Sequence, residues 1–123
     1  MVKLSRYAYS DTIARLSKAI LEAGNLIFST IDQSGAANKV GLQMPPTTLI
    51  IFGNPKAGTP FMVRFPLSAL DLPLKLLVWD DGKVNVAYVP MSDVAARYGV
   101  TGMDTLISNI DHTLDTLTNL VTS

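Results

Sequence analysis

Residues 74–89, LKLLVWDDGKVNVAYV, decide how this chain folds. Asp81-Gly82 separates two runs rich in β-branched and aromatic residues, and such a dipeptide suits a two-residue hairpin turn because glycine accepts a positive φ. That loop length sets Asp80 opposite Lys83, Trp79 opposite Val84, Val78 opposite Asn85 and Leu77 opposite Val86. Side chains alternate across a strand, so Leu77, Trp79, Val84, Val86 and Tyr88 are expected to share one face. Leu74, Leu76, Val78, Ala87 and Val89 then share the other. Both faces are apolar, whereas a sheet with one solvated face alternates apolar with polar. Something must therefore cover each face.

Working outward, TTLIIFG (47–53) reads as an uninterrupted buried-type strand and LIFSTID (26–32) as another. KLSRYAY (3–9) alternates polar with apolar and reads as a first strand. Between them, DTIARLSKAILEAG puts Ile13, Leu16 and Ile20 on one helical face. Ser10 is its expected N-cap, and Gly24 its stop. SGAANKVG and the segment from Asp93 to Tyr98 fit short helices, and Pro66 and Pro73 restrict PLSALDLP to short helical or irregular structure. The last long helix begins at Asp104 as cap and carries Ile107, Ile110, Leu114, Leu117 and Val121 at three- and four-residue steps. The order strand, helix, four strands, helix predicts an α+β fold on a mainly antiparallel sheet, with the long helices packed on one face. No repeat, linker or low-complexity tract divides residues 1–123, so we expect a single domain.

Composition narrows the function. Apolar residues make up 48% of the chain and charged residues only 16%, which favours burial of surface in a partner or a ligand. Ten basic and ten acidic residues balance, and no Lys/Arg run occurs, which argues against nucleic acid. Cysteine is absent and histidine single, so neither a cysteine- nor a histidine-based metal site is expected, and no cofactor is implied. The start has no signal-like apolar run, and no stretch reaches membrane-spanning length. These features predict a soluble cytoplasmic protein with no membrane partner.

Gly53 to Thr59, GNPKAGT, resembles a phosphate-binding loop in its glycine spacing alone. Pro55 removes a backbone N–H, and Lys56 lies before Gly58 rather than after it. Gly53-Asn54-Pro55 reads as a turn off a strand, and Thr59-Pro60 as a cap followed by proline at the first helical position. Gly53, Asn54, Lys56 and Thr59 are candidate walls of a ligand pocket. Arg64 and Lys75 are further counter-charges for a small anionic ligand. Trp79 and Tyr88, large side chains with polar tips, mark a homodimer surface or a cleft. Asp32 and Asp71 lie in apolar neighbourhoods that could raise their pKa values, and are candidate bases for a hydrolase or isomerase with Tyr88 as donor. His112, two residues beyond Ile110, should face solvent.

IIFGNPKAGTPFM together with ALDLPLKLLVWDDGKVNVAYVP resembles the domain-of-unknown-function family numbered 302. The matching runs are Gly53-Asn54-Pro55, Leu72-Pro73-Leu74-Lys75, and Asp80 to Lys83 leading to Tyr88, with VGLQMPPT before the third strand. The resemblance covers nearly the whole chain. It implies a compact α+β fold like that of the TATA-binding protein, often dimeric, and brings no settled activity. Many relatives have an Asp-His pair at the end of the second strand, where this chain has Asp32-Gln33. Chemistry that needs that histidine is therefore closed to this protein. The expectation is a small, non-catalytic or weakly catalytic homodimer that binds a small ligand near Gly53–Thr59 and the sheet surface around Trp79 and Tyr88. A protein-interaction adaptor and the Asp32 or Asp71 hydrolase are the alternatives.

Overall fold

A computed structural model describes residues 1–122. The hairpin pairs β4 (Leu74–Asp80) with β5 (Val84–Ala87), but its loop is one residue longer than expected. Asp81, Gly82 and Lys83 form the connection. Gly82 adopts φ +108° and donates its N–H to Asp80 Oδ1 at 3.0 Å. The Asn85 amide donates to Asp81 Oδ1 at 3.0 Å and to the Lys83 carbonyl at 2.9 Å. These bonds satisfy the wider loop and shift the register by one: Asp80 faces Val84, Trp79 faces Asn85, Val78 faces Val86 and Leu77 faces Ala87. A one-residue slip exchanges the faces of a strand. Val84, Val86 and Tyr88 thus join Leu74, Leu76 and Val78 in the core, while Trp79 and Leu77 point the other way.

The sheet has five strands in the order β1-β5-β4-β3-β2, antiparallel throughout. β2 (Leu26–Asp32) and β3 (Thr47–Gly53) match the sequence reading. β1 (Val2–Leu4) is shorter than expected. Ser5 Oγ accepts the Tyr7 N–H at 3.1 Å, a local turn that takes the chain out of the sheet, and Tyr9 already opens α1 (Tyr9–Glu22). The cap of α1 is Ala8, without a side-chain bond, and Ser10 lies inside the first turn. Likewise α5 (Asp104–Asn119) is capped by Met103, and Asp104 is its first residue. The short helices α2 (Gln33–Lys39) and α4 (Met91–Arg97) stand near their expected places.

The long helices α1 and α5 pack on one face of the sheet. Leu16 and Ile20 from α1, with Ile110, Leu114 and Leu117 from α5, meet Ile50, Phe52, Leu76, Val78 and Val86. Phe61 from α3 (Pro55–Arg64) and Met91 from α4 close the ends of this layer. Leu49, Ile51, Leu77, Trp79 and Ala87 on the opposite face take no part in that core and are half-buried only.

Candidate functional site

The strand β3 delivers the chain to a cleft of about 280 Å³ between α3 and α5. Gly53 ends β3 at its floor. A Cβ there would stand 3.6 Å from Pro73 Cβ and 3.8 Å from Phe28 Cε2, so a methyl group would fit in ordinary van der Waals contact and take up part of the floor. Asn54 then caps α3, its Oδ1 accepting the Lys56 N–H at 3.0 Å, and Pro55 takes the first helical position. The cap expected at Thr59 is thereby corrected: Gly58, Thr59 and Pro60 lie inside the helix. Helix capping favours Asn54 because the following proline is already set at a helical φ.

The cleft wall is mainly apolar, with Phe28, Met62, Leu72, Leu106 and Ile110 contributing. Its polar groups are amides and hydroxyls, from Asn25, Asn54, Thr59, Asn109 and Thr113. Among the described residues no charged side chain lines it.

Of the residues named from sequence, Gly53, Asn54 and Thr59 meet at this cleft. Lys56 is exposed on α3 and not among the lining residues. Arg64 stacks toward the Phe65 ring at 5.7 Å and borders a separate shallow hollow with Gly102 and Asp104. Lys75 donates to the Pro73 carbonyl at 3.0 Å and projects on the open sheet face beside Ile51. Trp79 is also on the open face. Tyr88 is buried in the core, and that burial pushes its phenol up, with the carboxylates of Asp115 and Asp111 adding to the effect. The expected Trp79–Tyr88 pair is thus split across the sheet by the one-residue register change.

Asp32 and Asp71 serve as local hydrogen-bond acceptors. Asp32 caps α2, taking the Gly35 N–H at 2.9 Å and the Ser34 hydroxyl at 2.7 Å, and these bonds hold its carboxyl below the usual range. Asp71 accepts from the Tyr98 hydroxyl at 2.8 Å and from Arg97 Nη1 at 2.7 Å, and Tyr98 first, then Arg97, lowers its pKa. The expected upward shifts are therefore reversed, because hydrogen bonds to the charged form outweigh desolvation. Asp32 lies level with Val78 through Thr48, whereas Asp71 precedes Leu74, so the two stand toward opposite ends of β4. His112 is exposed, as its helical position implies.

The Asp71 geometry has a pH consequence. Its folded pKa is depressed below 3.8, so its contribution to stability is complete above the unfolded value and is lost as pH falls through the folded one. Urea midpoints measured near neutral pH and at about pH 3 should fall less for Asp71→Asn than for the wild type. Equal falls would mean that the Arg97–Tyr98 contact does not discriminate the carboxylate.

The α5 side of the cleft escaped the sequence reading. Asn109 and Thr113 are four residues apart and flank Ile110, so they form a polar margin on the apolar stripe. That pattern is visible in the sequence, but nothing local says which loop it will face. Among the described residues no three His, Cys, Asp or Glu side chains cluster as metal ligands, and no helix is long and apolar enough to cross a membrane.

Comparison with known proteins places the chain. The profile of the family described as Domain of unknown function DUF302 matches residues 1–117. Two proteins called Fluoride-specific ion channel FluC 1, from Brucella suis biovar 1 and Brucella abortus biovar 1, are each 36% identical to it over an alignment of 116 residues that covers 83% of the chain. The chain spans only 46% and 43% of the lengths of these relatives. A crystal structure of an uncharacterized conserved DUF302 protein from Bacillus stearothermophilus superposes with a TM-score of 0.89, covering 98% of this chain and 96% of that one at 15% identity. The structural likeness concerns the fold, and the profile and the Brucella relatives carry the lineage: the chain belongs to the DUF302 family.

Proposed function

We propose that this domain is a non-catalytic, homodimeric module that binds a small, uncharged and largely apolar molecule in the cleft between α3 and α5. The lining carries this reading: an apolar wall with amide and hydroxyl groups is the usual make-up of a ligand pocket, where apolar contact gives affinity and a few polar groups fix orientation. An anionic ligand fits poorly, because Lys56, Arg64 and Lys75 all lie off the lining. The same applies to fluoride. An anion taken from water into an apolar cleft needs a cation or converging donors to offset its lost hydration. In the longer Brucella relatives, the domain would act as an accessory part, with the named channel activity residing in the remainder of the chain. The hydrolase or isomerase reading lacks support, since Asp32 and Asp71 are held ionised by local bonds and neither lines the cleft.

The neutral dye N-phenyl-1-naphthylamine tests the site. Its fluorescence should rise on mixing with the wild-type protein. Gly58 lines the cleft within α3, and a Cβ there would meet only Met62 Cε at 3.9 Å, so Gly58→Leu fills the space while improving helix propensity by about 0.5–1 kcal/mol. This variant should be at least as stable in urea and should lose the fluorescence signal. Undiminished dye binding by Gly58→Leu would place the dye elsewhere and remove the support for this cleft.

A further inference from the structure

We infer that two copies of the chain associate through the open face of the sheet, packed face to face about its central apolar row. This deepens the dimer reading above by assigning its interface.

The row is continuous across all five strands. Val2 pairs with Ala87, Ala87 with Leu77, Leu77 with Leu49, and Leu49 with Ile31. Every one of these side chains is apolar, and the two at the edges are 60% and 38% exposed. Trp79 lies on one side of the row, level with Asn85, and Ile51 and Lys75 lie on the other. The core-facing rows hold the opposite alternation, so the helices have already taken the other side of the same strands.

Size and charge favour a second copy as the occupant. Five strands about 4.8 Å apart, with three outward positions on each long strand, give a face of about 24 by 20 Å. Two such faces bury on the order of 1,000 Å², the lower bound for a specific interface. The carboxylate nearest this face is Asp81, at the hairpin end beside Trp79, where it accepts from the Asn85 amide. Among the described residues of the paired strands, Lys75 is the cation on the face. With a twofold axis along the apolar row, each Lys75 would face Trp79 of the other copy rather than its Lys75, a favourable cation–aromatic pairing. The neutral chain adds no long-range repulsion between copies. Edge-to-edge pairing is the weaker geometry, because β1 has only three residues and β2 is bulged between Ile27 and Ser29.

Leu77 sits on that axis, opposite itself, which supplies the test. Light scattering and sedimentation should find the wild type dimeric at micromolar concentration. Leu77→Glu and Leu77→Lys should each weaken the dimer about 30-fold or more, and an equimolar mixture of the two should restore it. A misfolded variant would not be rescued by mixing. Should either fail to give a native far-ultraviolet spectrum, Ile31→Glu and Ile31→Lys at the exposed end of the row must show the loss of dimer singly. A wild type that stays monomeric up to millimolar concentration overturns the dimer and the interface together. A dimer whose dissociation constant is unchanged in folded charged variants overturns the interface alone.

Discussion

Phe61→Ala is expected to lower the unfolding free energy by about 3–5 kcal/mol, the range for removing a fully enclosed phenylalanine from a core. Phe61 is 0% exposed and is the one buried residue of α3. A helix of ten residues is marginal by itself in water. This one also contains Pro60, which offers no N–H to the Lys56 carbonyl one turn earlier. Its docking thus rests on one fully buried anchor, helped by partly buried Ala57 and backed by the Asn54 cap. The loss should appear as a lower urea midpoint, and in dye titrations as a cleft that no longer holds a defined wall. Phe61→Leu keeps most of the volume and should cost only about 1–1.5 kcal/mol while retaining dye binding. An Ala variant within 1 kcal/mol of wild type would mean that α3 is held by contacts other than Phe61.

The same helix shows what sequence can and cannot supply. The strands 26–32 and 47–53 and the stripes Leu16–Ile20 and Ile110–Leu114–Leu117 were legible because burial imposes a period that local composition records. The hairpin was legible as a hairpin, but its register was not. Asp81-Gly82 satisfies a two-residue turn, and only the folded Asn85 amide, reaching back to Asp81 and the Lys83 carbonyl, selects the three-residue loop. That one choice moved Tyr88 into the core and left Trp79 outside it. Caps failed for a related reason: Ser10, Thr59 and Asp104 are good capping residues, but the caps of the packed helices lie one to five residues before them. Half of the cleft followed from the Gly53–Thr59 punctuation. Its other half, from Phe28, Leu106, Asn109 and Thr113, comes from segments far away in sequence, and only tertiary packing brings them there.

Asp111 illustrates the same dependence on distant residues, and its removal should have the next largest effect. The helix α4 begins after Pro90 with no side-chain cap of its own. Instead Asp111, on α5, accepts the Met91 N–H at 2.6 Å through Oδ1 and the Ser92 N–H at 3.2 Å through Oδ2. These N–H groups belong to the first turn of α4, which has no intrahelical acceptor for them, and a carboxylate there also complements the positive end of the helix. Met91 is fully buried and Val94 nearly so, so water cannot easily replace the lost acceptor at Met91. Asp111→Ala should therefore cost about 2–3 kcal/mol, more than an exposed cap, because two bonds to a charged acceptor are lost at once. Asp111→Asn retains one carbonyl acceptor and should cost about 1 kcal/mol. Equilibrium unfolding gives the totals, and amide hydrogen exchange locates them: protection of Met91 and Ser92 should drop in Asp111→Ala well before that of Ile50 or Val78 in the central strands. If exchange at Met91 stayed as slow as in the wild type, the cap would be incidental and α4 would be held by Met91 and Val94 packing alone.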